Sequence, residues 1–135
     1  MFLNTTNGDF MLIDGVTISL QTPFSQLRAA FPENKIWEVG TGYCWIYFSD
    51  VLYQEKKFAV EVCYCDERLK VIHFTMQECD TPWQKWSEAH QIATEQVYKH
   101  WLTAQLGEER RYDWGNVDAY FDRRSALTYM YVYYN

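Results

Sequence analysis

The sequence predicts an α+β domain: an antiparallel sheet built from hairpins, one long helix (about 82–106) packed on one face, and one short helix (about 23–31). Three observations carry this expectation. Strand-like apolar runs arrive in pairs around turn-forming residues. One long segment repeats apolar residues at helical spacing between a start and a stop signal. The pairs flank single helices and no Gly-rich phosphate loop is present, which disfavours the parallel sheet of a nucleotide-binding fold.

The elements follow in chain order. FMLIDGVTISL places two apolar-rich runs around Asp14-Gly15, a dipeptide that readily takes the positive φ values of a two-residue hairpin turn. Thr22 then reads as a helix N-cap with Pro23 at the first helical position, and Phe24, Leu27 and Phe31 form one apolar stripe that Pro32 ends. KIWEVGTGYCWIYF gives a second hairpin around Gly40-Thr41-Gly42; both faces of its second run are apolar, as in an interior strand. SDVLYQEKK reads as a polar connection. KFAVEVCYC and LKVIHFTM form a third hairpin, joined by a three-residue loop Asp66-Glu67-Arg68.

The longest periodic segment begins with a capping box, Thr81 with Gln84, and Pro82 at the first helical position, and it stops at Gly107. Trp86, Ala89, Ala93, Val97, Trp101 and Ala104 recur at spacings of three and four and are the expected buried stripe. NVDAYF and ALTYMYVYY close the chain as a fourth hairpin around Asp122-Arg123-Arg124-Ser125.

With 135 residues the chain fits a single domain, 1–135, long enough to build a core without metal or disulfide staples. A formal charge of -6, with only the short basic doublets Lys56-Lys57, Arg110-Arg111 and Arg123-Arg124, argues against nucleic acid as a partner and suits a basic protein. No apolar run approaches the ~18 residues of a membrane span, and the N-terminus has no basic segment or cleavage site of a secretory signal. A cytoplasmic chain with free thiols is therefore expected at Cys44, Cys63, Cys65 and Cys79. Aromatic residues make up 19% of the chain, more than a core alone absorbs, so some are expected at a binding surface.

CYCDERLKVIHF raises the question of a metal or thiol site. A three-residue loop makes Cys65 face Leu69, Val62 face Ile72, Val60 face Phe74 and Phe58 face Met76, and on the other side Glu61 faces His73 and Cys63 faces Val71. Residues two apart on a strand are ~6 to 7 Å apart, too far for two sulfurs that must each lie ~2.3 Å from one zinc. Cys63 and His73 stand diagonally, long for the direct hydrogen bond of a thiolate nucleophile. No metal, cofactor or catalytic residue is expected. His90 and His100, ten residues apart on the helix, are read as core or boundary residues rather than as ligands.

Asp118, Tyr120 and Asp122 alternate onto one face of the penultimate strand, with Asp113 and Trp114 just before it. Rigid aromatic area beside charges that attract a basic partner suits protein recognition, and these five residues are the expected partner-binding set.

The run WSEAHQIATEQVYKHWLTAQLG followed by YDWGNVDAYFDRRSALTYMYVYY resembles a group of small cytosolic bacterial proteins, some of them similar to immunity proteins. These carry a tryptophan-bearing helix, a W-G dipeptide and a Tyr-rich final strand. The resemblance spans the chain from the long helix to its end and implies a non-enzymatic role: binding and neutralising a cognate toxin. It transfers no contact residue. Two other functions stay open at this point, a small enzyme using Cys63 or Cys65 with His73, and a ligand-binding module with an aromatic pocket.

Overall fold

The computed structural model describes residues 1–13 and 15–135. Among them the chain runs β1 (Phe10–Met11), β2 (Thr17–Ile18), α1 (Phe24–Ala30), β3 (Ile36–Glu38), β4 (Tyr43–Tyr53), β5 (Lys56–Cys65), β6 (Arg68–Met76), α2 (Glu88–Leu106), β7 (Arg111–Tyr112), β8 (Gly115–Asp122) and β9 (Leu127–Tyr134). Seven strands form one sheet in the order β3-β4-β5-β6-β9-β8-β7, and β1 pairs with β2 separately. Every pairing is antiparallel. The architecture is α+β.

Alternation divides the sheet. Ile46, Phe48, Phe58, Val60, Val62, Ile72, Phe74, Met130 and Val132 point to one side and are buried there beneath the N-terminal segment, α1 and α2. Phe2 lies deep in this core, its ring 5.4 Å from Phe74 and 5.1 Å from Trp101. At the far edge the N-terminal loop is clasped to the last strands: Tyr134 Oη donates to Gly8 O at 2.8 Å and Trp114 Nε1 to Thr5 O at 2.8 Å.

Several local expectations are revised. The first hairpin pairs Phe10 with Ile18 and Met11 with Thr17, but Asp14 of its expected Asp14-Gly15 turn lies outside the described residues. Thr22 does not cap α1; its Oγ1 accepts from Ser19 N, and Pro23 is the cap residue. The missing side-chain cap is supplied from the sheet, where Glu67 in the β5–β6 turn accepts from Ser25 N at 3.1 Å and Ser25 Oγ at 3.2 Å. A carboxylate there also meets the positive end of the helix.

SDVLYQEKK is not a connection. β4 runs on through it to Tyr53, with a bulge after Phe48, and Gln54-Glu55 forms a two-residue turn into β5. Both turn residues have positive φ, 50° and 67°, without the Asn-Gly chemistry that normally announces this conformation. The third hairpin has a two-residue turn as well, Asp66-Glu67, so Cys65 faces Arg68 and Tyr64 faces Leu69. A bulge between Cys63 and Tyr64 absorbs the extra residue and restores the expected register beyond it, including Glu61 opposite His73 and Cys63 opposite Val71.

The long helix begins at Glu88 rather than near 82, and Ser87 caps it by accepting from His90 N at 3.1 Å. Trp83–Lys85 forms a separate 3₁₀ turn, and Trp86 is extended because its indole donates to Ala126 O at 2.7 Å, tying the chain to the β8–β9 turn. Gly107 ends the helix as expected, with φ 78°. The buried stripe is also different: Gln91, Thr94, Tyr98 and Leu102 face the sheet, while Ala89, Ala93, Val97 and Ala104 are exposed. Trp101 is half-buried against the core. Both rows obey the helical period, so spacing alone does not choose between them. Bonds to the sheet do: Thr128 Oγ1 donates to Gln91 O at 3.0 Å, Met76 N to Tyr98 Oη at 3.2 Å and Phe121 N to Glu95 Oε2 at 2.8 Å.

Candidate partner-binding face

With the helices on one side, the other side of the sheet is left open. Antiparallel register carries its residues in rows across the strands. One row is Trp37, Trp45, Cys63, Val71, Tyr133 and Asn116; the next is Tyr47, Glu61, His73, Tyr131 and Asp118. Below them Tyr129 pairs with Tyr120 and Leu127 with Asp122. At ~4.8 Å between strands and ~3.3 Å per residue, this face measures about 24 Å by about 20 Å.

The face is aromatic with charges among the rings. Trp37 is 55% exposed, Tyr120 42% and Tyr133 37%. Tyr120 and Tyr129 meet edge to face with centroids 5.8 Å apart, and Lys35 and Lys70 lie over the rings of Tyr47 and Tyr133. Burial, and after it nearby Asp122, pushes the Tyr129 hydroxyl up to about 12, so it stays a neutral donor and acceptor. His73 is stacked on Tyr129 at 4.0 Å, with Trp45 5.2 Å away. Desolvation there lowers its pKa to about 4, against a weaker opposing pull from Asp122. Its imidazole is therefore neutral near pH 7.

The expected contact residues divide. Asp118, Tyr120 and Asp122 do lie in line on the open face. Asp122 also holds its own turn, accepting from Arg124 N at 3.0 Å. Asp113 is exposed in the β7–β8 turn at the sheet edge. Trp114 is buried, stacked on Tyr112 at 5.3 Å with its N–H bonded to Thr5, and so belongs to the core rather than to an exposed set. Gly115 beside it is required by packing, since a Cβ there would fall 1.8 Å from Tyr133 O.

The expected set lacked most of the face. Tyr129, Tyr131 and Tyr133 join it through simple alternation in LTYMYVYY, a signal present in the sequence. Trp37 and Trp45 join it by pairing across the Gly40–Gly42 turn.

Cys44, Cys63 and Cys65 lie on neighbouring rungs of β4 and β5, and Cys79 stands apart after β6. Cys63 is buried, its Sγ 3.9 Å from Tyr64 O. Burial, followed by Cys65 and Cys44, pushes its thiol up to about 12, the direction opposite to that of an activated nucleophile. Burial likewise raises Cys44 and Cys79. His90 Nε2 is 3.0 Å from Cys79 O, a boundary contact. Among the described residues no group of three or more His, Cys, Asp or Glu side chains stands together as a metal site, and no helix is long and apolar enough to cross a membrane.

No family model and no curated protein matches this chain. Among solved structures it is similar to a chain of "Rhs1-CT in complex with cognate immunity protein RhsI1", with a TM-score of 0.62 and 16% identity, over 98% of this chain and 86% of that one. At that identity the likeness is one of fold, extending over nearly the whole α+β architecture and thus well beyond the C-terminal part in which the sequence resembles immunity proteins.

Proposed function

We propose that this chain is a bacterial immunity protein that binds and neutralises a cognate toxin in the cytoplasm, with the open sheet face as its contact surface. The observation that carries the reading is that face: a preorganised layer of tryptophan and tyrosine on a rigid sheet, edged by Asp118 and Asp122. Such rings give large contact area at little entropic cost, which is the chemistry of interface anchors. Its support from outside the chain is a fold shared with a component of a complex that contains a cognate immunity protein. The formal charge of -6 suits a basic toxin, whose approach it would accelerate in a salt-dependent way.

The test is co-expression with the product of the gene immediately upstream, examined as the candidate toxin, followed by co-purification and growth measurement. Wild type restores growth and co-purifies with the toxin. Asp118→Lys combined with Tyr120→Ala weakens binding at least tenfold while the circular dichroism spectrum stays unchanged. Asp118 is preferred to Asp122 because Asp122 also holds a turn. Undiminished neutralisation by the double variant would remove this face as the contact surface, and absence of any toxin binding would remove the reading itself.

A further inference from the structure

β6 and β9 pair only from Val71 opposite Tyr133 to Phe74 opposite Met130. Beyond Phe74 the two strands part, and Met76 N turns instead to the hydroxyl of Tyr98 on α2. The parting opens a cleft of about 430 Å³ at the lower end of the open face. Trp83 and Trp86, with centroids 6.2 Å apart and planes 46° from parallel, stand on one side of it; the stacked pair His73 and Tyr129 stands on another. Trp86 is held in place by its bond to Ala126 O.

The charged lining is of one sign. Glu61 and Asp80 bring carboxyl groups, and among the described residues that line the cleft there is no lysine or arginine. Gln91 also lines it and is only 7% exposed. Desolvation raises the pKa of both Glu61 and Asp80, as for carboxyl groups drawn out of water; Lys35 offsets it in part at Glu61. The neutral imidazole of His73 adds no repulsion toward a positive guest.

We propose that this cleft is a socket for an arginine side chain presented by the protein partner. Flat aromatic walls favour a planar guanidinium by stacking and by attraction to the ring faces. Carboxylate, amide and hydroxyl acceptors at Glu61, Gln91 and Thr75 match its several N–H donors. The source of the side chain rests on the immunity reading, while the affinity for a guanidinium is a property of this chain alone.

The test therefore uses the free full-length protein. N-acetyl-arginine methylamide is titrated into ¹⁵N-labelled protein while the indole N–H of Trp83 and the side-chain amide of Gln91 are followed by NMR. Saturable millimolar shifts at both groups are expected, weakened about threefold or more by Glu61→Gln. An equal response to N-acetyl-norleucine methylamide, a stronger one to the lysine analogue, or no response at either group would overturn the assignment. Because no toxin is present, such a result leaves the immunity reading standing. Arginine binding in a protein that neutralises no toxin would instead retain the socket and discard the partner.

Discussion

His73 makes the stability of the fold depend on pH in a direction the structure dictates. In the folded protein desolvation holds its pKa at about 4, against the ordinary histidine value of 6.5. Between those values the unfolded chain binds a proton that the folded chain refuses, so stability falls as pH falls and is fully recovered above 6.5. The two values correspond to about 3 kcal/mol at the acid end, of which about 2 kcal/mol is already lost at pH 5.

Glu61, opposite His73, works in the other sense. Its raised pKa means that the folded state takes up a proton first, which returns some stability as the medium becomes acid. Asp122 attracts a proton to His73, while Trp45, Tyr129 and Tyr131 around it stay uncharged. Urea denaturation at pH 7.5 and pH 5 measures the net effect, and a loss of about 2 kcal/mol moves the midpoint by about 1 M. His73→Gln should be less stable at pH 7.5, because the stacking is lost, yet show a smaller fall toward pH 5; Glu61→Gln should steepen the fall. If His73→Gln keeps the full wild-type pH dependence, the imidazole is not the group responsible and its desolvated environment is wrongly described.

Two further outcomes follow from backbone geometry. Gly115→Ala would drive a Cβ to within 1.8 Å of Tyr133 O, so β8 and β9 must separate locally; a loss of ~3 kcal/mol or more is expected in thermal or urea melts. Replacing Gln54-Glu55 by Asn-Gly suits the positive φ values at both positions and should add about 1 kcal/mol, read as a higher melting temperature without change in the spectrum.

Much of the fold was legible in local chemistry. Paired runs around glycines marked the Gly40–Gly42 hairpin, alternation marked β8 and β9, and the expected register of β5 with β6 holds from Phe58 to Cys63. These features depend on residues near one another in the chain, where side-chain period and turn preference act directly. The Gln54-Glu55 turn was hidden because neither residue advertises positive φ; the pairing of its strands imposes it. The start of α2 was hidden because Thr81 and Ser87 are both competent caps, and the Trp86 bond to Ala126, forty residues away, selects the second.

The candidate site divides in the same way. Sequence alone determined that acidic and aromatic side chains alternate on the last hairpin and that the thiols are spaced poorly for one ion. Only the tertiary structure decided which side of the sheet the helices cover, because both rows of α2 satisfy the helical period and long-range bonds to β8, β9 and Met76 choose the face. It also decided that Trp114 turns inward, and that strands far apart in sequence assemble their rings into one layer beside the opening between β6 and β9. Burial and pairing are properties of the assembled sheet, and no local segment contains them.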